Sequence, residues 1–265
     1  MFQPLYVAAT ALSAQQDEIL EITNNLANAQ TVAFKKGRTE MESLFYVEKN
    51  FQDILYEEMS GYETPPVSVE YGTGVRVAST PKDFTQGSIE ITNNPFDLAI
   101  NGDGFFQFQL AEGAVAYGRA GNLHLDNDGN LVDPNGHKLD PGISFPQGTT
   151  AVVIRQDGTI LAAVNNDLEY SEIGQINIVK FTNPAGLKSL GQNLYEATEA
   201  SGEVMMGVAG QDGYGTINQY SIEKSNVDVI SEMMRMVMVQ RVFDTVSKAV
   251  QSYEAMLTSL ERMKQ

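Results

Sequence analysis

The sequence of 265 residues contains no cysteine, no tryptophan and only two histidines, His124 and His137. Without cysteine the chain forms no disulfide framework, no zinc–thiolate site and no cysteine nucleophile. Two histidines do not favour a histidine-rich metal site either. Each of them lies in a turn-rich segment with no nucleophile at a diagnostic spacing, so we interpret both as surface or structural residues.

Long apolar runs are also missing. No stretch approaches the roughly 20 apolar residues that a membrane-spanning helix needs. The first basic residue is Lys35, so no positively charged region precedes the first apolar positions as it does in a secretory signal. We therefore expect that the protein does not insert directly into a membrane. If it is exported, we expect the export to proceed without a cleaved signal peptide.

Basic residues are scarce in the middle of the chain. The net charge is −17, and residues 83–223 carry 18 Asp and Glu against 5 Lys and Arg. This segment alone therefore accounts for −13 of the charge. Such acidity repels phosphate backbones, so we do not expect nucleic-acid binding. It also predicts an exposed middle and nearly neutral ends that are buried.

The two ends lack helix breakers. Glycine is absent before Gly37, the only proline in that stretch is Pro4, and neither residue type occurs from Val227 to Gln265. Each end carries an apolar stripe with alternating spacings of three and four, which is typical of a coiled-coil seam. The stripes are Leu5, Ala8, Leu12, Gln15, Ile19, Ile22 and Leu26, and Val242, Val246, Ala249, Tyr253, Met256, Leu260 and Met263. They predict self-association, although a core helix of a globular domain remains the alternative for the first.

The segment between the ends is predicted to be β structure. Helical periodicity disappears over residues 70–225, where short alternating strands such as 151–154 and 175–179 lie between dipeptides typical of tight hairpins. These dipeptides are Asn101-Gly102, Asp103-Gly104, Asp128-Gly129, Asn135-Gly136, Asp157-Gly158 and Asp212-Gly213. The pattern predicts an antiparallel, all-β domain. Residues 31–70, rich in aromatics, are predicted to be an extended connector with a β-hairpin or a short helix within 39–59.

No constellation of residues predicts an active site. The glycine-rich spots fail the nucleotide-binding patterns, because Gln107 and Val77 stand where a third glycine is needed. The run from Asp126 to Gly129 resembles a calcium loop, but His124 would occupy its first ligand position, so a type I′ turn is the better interpretation. We expect no catalytic residue, no cofactor and no metal, and hence a protein that is not an enzyme.

Polar residues interrupt both helical ends. Asn24, Asn25 and Asn28 crowd the end of the first helix although asparagine is a poor helix former. Capping by a left-handed residue explains Asn28 but not Asn24. The other interpretation is that these amides, together with Gln15 and Gln240, bond to a neighbouring chain and set its register.

Several motifs resemble those of bacterial flagellar rod and hook proteins. Residues 24–36 (NNLANAQTVAFKK) are similar to that family's NNLAN signature and its following Thr and Gly-Phe-Lys, with Ala33 in place of the usual glycine. Further similar motifs follow in the same order over nearly the whole chain. They are 99–106 (AINGDGFF), 117–123 (YGRAGNL), 191–195 (GQNLY), 223–228 (EKSNVD) and 240–244 (QRVFD).

Length, the connector ending near 72–77 and the 240–244 run are most similar to the distal rod member of the family. The resemblance implies an α+β fold in which N- and C-terminal helices (1–30 and 228–265) pair as a coiled coil forming an inner tube. The connector (31–70) follows, and the acidic antiparallel β domain (71–227) forms an outer layer. A proximal rod or hook paralogue is the alternative within the family.

The implied function is a structural subunit of the distal rod, a rigid hollow drive shaft that transmits torque from motor to hook and conducts exported subunits. The shaft crosses the periplasm in the flagellar basal body. The implied partners are further copies of the chain, the proximal rod and hook proteins, the periplasmic and outer-membrane ring bushing, the export apparatus and a rod-assembly factor. The residues expected in polymerisation and helix packing are Leu5, Leu12, Gln15, Ile19, Ile22, Asn24, Asn25, Leu26, Asn28, Phe34, Gln240, Arg241, Phe243, Val246, Val250, Tyr253, Leu257 and Leu260.

Two other classes stay open on the residues alone. A carbohydrate-active or other hydrolytic β enzyme predicts carboxylates that converge in a cleft, whereas here the acidity is scattered. A secreted β-rich binding module predicts that its function survives deletion of both terminal helices.

Overall fold

A helix stands at each end of a chain of short strands. The structure, a computed structural model, describes residues 3–49, 69–110, 113–164 and 170–263. The helices are α1 (Gln3–Ala27) and α2 (Val229–Met263). Neither of these helices is long and apolar enough to cross a membrane.

Twenty strands lie between α1 and α2 in the described ranges. They are β1 (Glu40–Ser43), β2 (Tyr46–Lys49), β3 (Val69–Gly72), β4 (Val75–Ser79), β5 (Ile89–Ile91), β6 (Leu98–Asn101), β7 (Phe106–Gln109), β8 (Val115–Gly118), β9 (His124–Leu125), β10 (Leu131–Val132), β11 (Lys138–Asp140), β12 (Thr149–Ile154), β13 (Thr159–Val164), β14 (Ser171–Gln175), β15 (Asn177–Phe181), β16 (Lys188–Gly191), β17 (Leu194–Glu196), β18 (Val204–Val208), β19 (Thr216–Gln219) and β20 (Ser221–Glu223). Every described strand pair is antiparallel. The two helical ends and the antiparallel β middle predicted from the sequence are confirmed.

The chain divides into two compact units. Unit 1 comprises Met1–Asn24, Gly37–Pro81 and Ile230–Gln265, and unit 2 comprises Asn25–Lys36 and Lys82–Val229. The domain limits given above remain a prediction.

Unit 1 combines most of both helices with two short β ladders. Strand β1 pairs with β4, and β2 pairs with β3. The helical alternative for 39–59 is therefore wrong for the described residues up to Lys49, which form strands; residues 50–68 lie outside the described part. Cross-strand hydrogen bonds within the ladders satisfy the backbone here, and they outweigh the helix-like spacing of the apolar residues.

Unit 2 contains the main core. Its largest sheet has seven strands in the order β16-β17-β8-β7-β11-β10-β9, and β12-β13-β14 form a three-stranded sheet beside smaller ladders. Fully buried side chains from many of these strands form one apolar cluster. Its largest members are Leu98, Ile100, Phe106, Phe108, Leu123, Leu131, Leu139, Ile160 and Ile176. A second cluster is aromatic, with edge-to-face contacts among Phe84, Phe105, Tyr117, Phe181 and Tyr195.

The turn at 126–129 differs in type from the one predicted. At 126–129 only Gly129 has a positive φ, of 80°, so Asn127 and Asp128 form a type I turn followed by a left-handed glycine. The predicted type I′ turn is wrong there. Two consecutive residues with positive φ, which a type I′ turn requires, occur at Asp212 and Gly213, one of the predicted dipeptides, and between β16 and β17, where Gln192 and Asn193 have φ of 56° and 60°.

Candidate assembly faces and the motif cluster

The two helices contact each other through an ion pair in unit 1. The Arg235 Nη2 and Nε atoms lie 2.8 and 2.9 Å from Glu18 Oε1. The Glu18 side chain is 15% exposed and that of Arg235 35%. Partial burial makes such a pair more informative about orientation than a fully exposed one. It places one side of α1 against one side of α2.

The apolar stripe predicted on α1 lies on the shielded side of the helix. Ile22 is buried, with 1% exposure, and the other predicted members are half-buried. These members are Leu5, Ala8, Leu12, Gln15, Ile19 and Leu26. Ala14 is also buried, so the shielded side is broader than the predicted seam.

On α2 the shielded side differs in phase from the predicted stripe. Val246 and Tyr253 of that stripe are half-buried, whereas Val242, Ala249, Met256, Leu260 and Met263 are exposed in the single chain. The part of this stripe in assembly stays a prediction. The less exposed residues keep the coiled-coil spacing of four and three in another phase. They are Glu232, Met236, Val239, Phe243, Val246, Val250, Tyr253 and Leu257. Both phases are apolar in the sequence, so periodicity alone does not select between them.

The predicted polar residues divide into shielded and exposed ones. Asn25 is buried, whereas Asn24 is exposed. Gln15 is half-buried, but Gln240 and Arg241 are exposed in the single chain. Their part in setting subunit register stays a prediction.

Asn28 directly follows α1 but does not adopt the left-handed capping conformation that was expected. It lacks a positive φ, and its Oδ1 accepts a hydrogen bond of 3.1 Å from Thr31 Oγ1. The left-handed residue is Ala33, with φ of 55° and 1% exposure, whose N–H donates to Glu223 O at 2.8 Å. The turn at this position is thus formed with alanine, which carries a steric cost at a positive φ.

Motif residues from distant parts of the sequence meet in a polar cluster of unit 2 whose charged members are buried. We define this motif cluster as Lys35, Arg119, Glu223 and Asn226. The Lys35 Nζ atom lies 2.6 Å from Glu223 Oε1 and donates to Thr85 O at 2.7 Å. Both side chains of this ion pair are fully shielded from solvent.

The motif cluster contains two positively charged side chains, Lys35 and Arg119, and one negatively charged side chain, Glu223. The Glu223 carboxylate accepts hydrogen bonds from Lys35 Nζ, from the Gly87 N–H at 2.8 Å and from Arg119 Nη1 at 3.5 Å. Burial lowers the pKa of Lys35, and the Glu223 carboxylate only partly opposes that shift. The Glu223 charge is therefore what stabilises both cations in the interior.

Arg119 connects the motif cluster to the 99–106 motif. Its Nε donates to Gly104 O at 2.8 Å and its Nη2 to Gly102 O, and its guanidinium lies 5.6 Å from the Phe105 ring centroid. Gly104 has a φ of 149°, and a Cβ there would come within 2.1 Å of the Ile178 Cγ2 atom. The close approach explains the glycine at this position.

Asn226 joins the segment that follows α1 to the segment that precedes α2. Its Oδ1 accepts from Lys36 N at 2.8 Å, and its Nδ2 donates to Asp83 O at 2.8 Å and Thr85 O at 3.1 Å. Phe34, predicted to take part in packing, is buried and lies with its ring 5.6 Å from Lys82 Nζ. Lys35, Arg119, Glu223 and Asn226 were not among the residues expected to be functional, although each stands in a quoted motif.

Three parts of the sequence match described families. Residues 5–35 match "Flagella basal body rod protein", residues 99–162 match "Flagellar hook protein FlgE/F/G D1 domain", and residues 218–263 match "Flagellar basal body rod FlgEFG protein C-terminal". These ranges contain Lys35, Arg119 and Glu223, so each family match contributes one charge to the motif cluster.

Whole-length relatives are similar as well. The chain is 37% identical to a protein of Buchnera aphidicola subsp. Acyrthosiphon pisum named flagellar basal-body rod protein FlgG, over 99% of the chain and 100% of that protein. Proteins of the same name are 36% identical in Borreliella burgdorferi, over 100% of the chain and 99% of the relative, and 30% identical in Bacillus subtilis, over the full length of both.

Proposed function

The chain belongs to the family of flagellar basal-body rod proteins, and from this premise we propose that it is a structural subunit of the distal rod that polymerises into a hollow shaft. It acts by assembling, and it is not an enzyme. The observation that carries the proposal is the large apolar surface left exposed on the helices. The large apolar side chains exposed on α2 are Val229, Ile230, Met233, Met234, Val237, Met238, Val242, Met256, Leu260 and Met263. Contiguous apolar surface of this kind marks an interaction site.

The shielded faces of α1 and α2 support a coiled-coil pairing within one subunit. Glu18 and Arg235 contact each other, and both shielded faces follow spacings of three and four. A seam with that spacing buries the apolar side chains of two helices against each other. We propose that the paired helices form the inner tube of the shaft, through which exported subunits pass.

Unit 2 supplies the outer layer in this proposal. Many of its acidic side chains are exposed. They include Glu90, Asp103, Asp126, Asp128, Glu172, Glu199, Glu203 and Asp212. An acidic surface repels other acidic surfaces and keeps a protein soluble. We propose that it allows the shaft to turn in the periplasmic and outer-membrane ring bushing without adhering to it.

The motif cluster gives the shaft part of its stiffness. Its hydrogen bonds hold the residues after α1, through Lys35 and Lys36, to the residues before α2, through Asn226. Buried charged groups that are fully hydrogen-bonded specify a single arrangement. We infer that this arrangement resists twisting between the ends of the chain when torque is transmitted.

The remaining partners follow from the place of a distal rod in the flagellum. At its ends the polymer meets the proximal rod and hook proteins, and it is delivered by the export apparatus and a rod-assembly factor. The subunit remains in the basal body.

Polymerisation of the purified full-length chain tests this function. We expect concentrated protein to sediment as straight tubes visible by electron microscopy. Deletion of residues 250–263, which removes the end of α2, abolishes the tubes in this account while soluble protein remains. A wild-type chain that stays monomeric at every concentration, with ordered helices, contradicts the proposal.

A further inference from the structure

The outer faces of α1 and of the first part of α2, up to Val242, carry almost no charge. In α1 ten described residues are exposed, and the one charged residue among them is Asp17. They are Pro4, Tyr6, Ala9, Ser13, Gln16, Asp17, Leu20, Thr23, Asn24 and Ala27. A helix that faces water normally presents charged residues there.

The exposed residues in the first part of α2 are also almost uncharged, but their single charge is positive. Between Val229 and Val242 ten residues are exposed, and the one charged residue among them is Arg241. They are Val229, Ile230, Ser231, Met233, Met234, Val237, Met238, Gln240, Arg241 and Val242. Arg241 also lines a shallow depression of about 320 Å³ with Met233, Met234, Val237 and Met238. Methionine side chains adapt their shape to a partner surface.

Asp17 and Arg241 take no part in the contact between α1 and α2 of the same chain. Glu18 and Arg235 form the ion pair between α1 and α2, whereas the side chains of Asp17 and Arg241 make no ion pair or hydrogen bond with any described residue. The two residues therefore stand on surfaces that the chain does not pair with itself.

We propose that the outer face of α1 in one copy docks on the methionine-rich outer face of α2 in a second copy, with Asp17 paired to Arg241. The inference rests on the proposed rod function and assigns its helix-to-helix interface. Single opposite charges within apolar faces fit each other, and burying them fixes register.

A second copy is the occupant because both surfaces belong to the same chain. A contact between two different surfaces of identical subunits is heterologous, and its repetition produces an open helical filament when it does not close into a ring. This is the kind of assembly that a shaft needs. A contact of one surface with itself would instead leave Asp17 or Arg241 without a residue of opposite charge, because each surface carries charge of one sign.

Charge reversal distinguishes this contact from one within the chain. Asp17→Arg and Arg241→Glu, each alone, should raise the protein concentration needed for sedimentable tubes by about ten-fold or more, because each places like charges together in the contact. An equal mixture of the two single variants should assemble near the wild-type concentration. In the mixture the arginine introduced at position 17 of one variant meets the glutamate introduced at position 241 of the other, and the native charges meet at the alternate contacts. The double variant should also recover. A pair within one chain would be restored in the double variant but not in the mixture.

Glu203→Arg and Lys138→Glu are matched controls. Both residues are exposed on unit 2, and the substitutions change the net charge by the same amounts as the two test variants. We expect them to assemble like the wild type. Tubes from either single test variant at the wild-type concentration, or no recovery in the mixture, overturn the interface. Failure of the wild-type chain itself to form tubes overturns the rod function instead, so the two failures are distinguishable.

Discussion

Lys35 and Glu223, 188 residues apart in the sequence, form an ion pair of 2.6 Å that solvent does not reach. The pair joins the segment after α1 to the last strand before α2 and is completed by Arg119 from the middle of the chain. A buried carboxylate that serves two cations is more costly to remove than either cation, because its loss leaves both charges uncompensated.

Glu223→Gln is therefore expected to lower the free energy of unfolding by about 3–5 kcal/mol. Lys35→Met should cost less, since Arg119 still lies near the Glu223 carboxylate. Urea denaturation of the full chain measures both. Glu196→Gln is the matched control: it removes an exposed partner of Lys188 and should cost no more than about 1 kcal/mol. Equal effects of Glu223→Gln and Glu196→Gln would contradict this account of the motif cluster.

Substitutions of Ala33 by a smaller and by a larger residue should differ in their effect on the free energy of unfolding. Ala33→Gly should change the free energy of unfolding by less than about 1 kcal/mol, because relief of the left-handed strain is offset by the lost methyl burial and the greater flexibility of the unfolded chain. Ala33→Val should destabilise by about 2–3 kcal/mol, since a branched side chain is strained at this φ and the site is buried. Ala9→Val on the exposed side of α1 should cost no more than about 0.7 kcal/mol. Chemical denaturation of the three variants checks the order, and an Ala33→Val chain as stable as the wild type would disprove it.

Asp133 predicts an acid-sensitive contribution to stability. Burial alone would raise the pKa of Asp133, but hydrogen bonds from His137 and Asn135 outweigh it and hold the pKa below the ordinary value of 3.8. A pKa that is lower in the folded chain adds stability that is fully present above the ordinary value and is lost as the pH falls through the folded value. Asp133→Asn should therefore lower the thermal unfolding midpoint most at pH 7, with the gap to the wild type narrowing below about pH 4. A gap that stays constant as the pH falls from about 7 to about 3 would contradict the assignment.

Substitution of Gly74 should destabilise unit 1 locally, at β4. It has a φ of 124°, and a Cβ would lie 2.2 Å from Thr10 Oγ1 of α1. The same hydroxyl accepts the Val75 N–H at 3.4 Å. Gly74→Ala should cost about 1–3 kcal/mol and speed amide exchange across β4. Thr10→Ala in that background should relieve the overlap but not the backbone strain, so that exchange is only partly restored. Hydrogen-exchange mass spectrometry of peptides covering 75–79 makes the comparison, and unchanged exchange in Gly74→Ala would argue against the close approach.

Patterns within short stretches of sequence predicted the fold well. The absence of glycine, and of proline after Pro4, marked α1 and α2, and the Asn-Gly and Asp-Gly dipeptides marked the antiparallel middle. The phase of the α2 seam was not predictable, because Val242 and Phe243 are both apolar and only the partner surface decides which one is shielded. The turn at Asp128 differs for a related reason: the dipeptide fixes a left-handed glycine but not the conformation of the residue before it.

The motif cluster escaped prediction because its contacts are not local. Lys35, Arg119 and Glu223 are charged residues in separate motifs, and no spacing rule relates positions so far apart. The available signal was that each of the three resembled motifs contains a charged residue beside apolar ones. Charges in such surroundings require partners, and the partners proved to be one another.

The central claim is that this chain polymerises into a tube with its paired helices inside and the acidic unit 2 outside. Electron cryomicroscopy with helical reconstruction of tubes grown from the full-length protein tests it most directly. The account predicts a hollow shaft whose innermost density fits α1 and α2 with the seam at Val239, Val246 and Tyr253, and whose outer density fits unit 2. Tubes with unit 2 lining the channel, or helices that make no contact between neighbouring subunits, would contradict it.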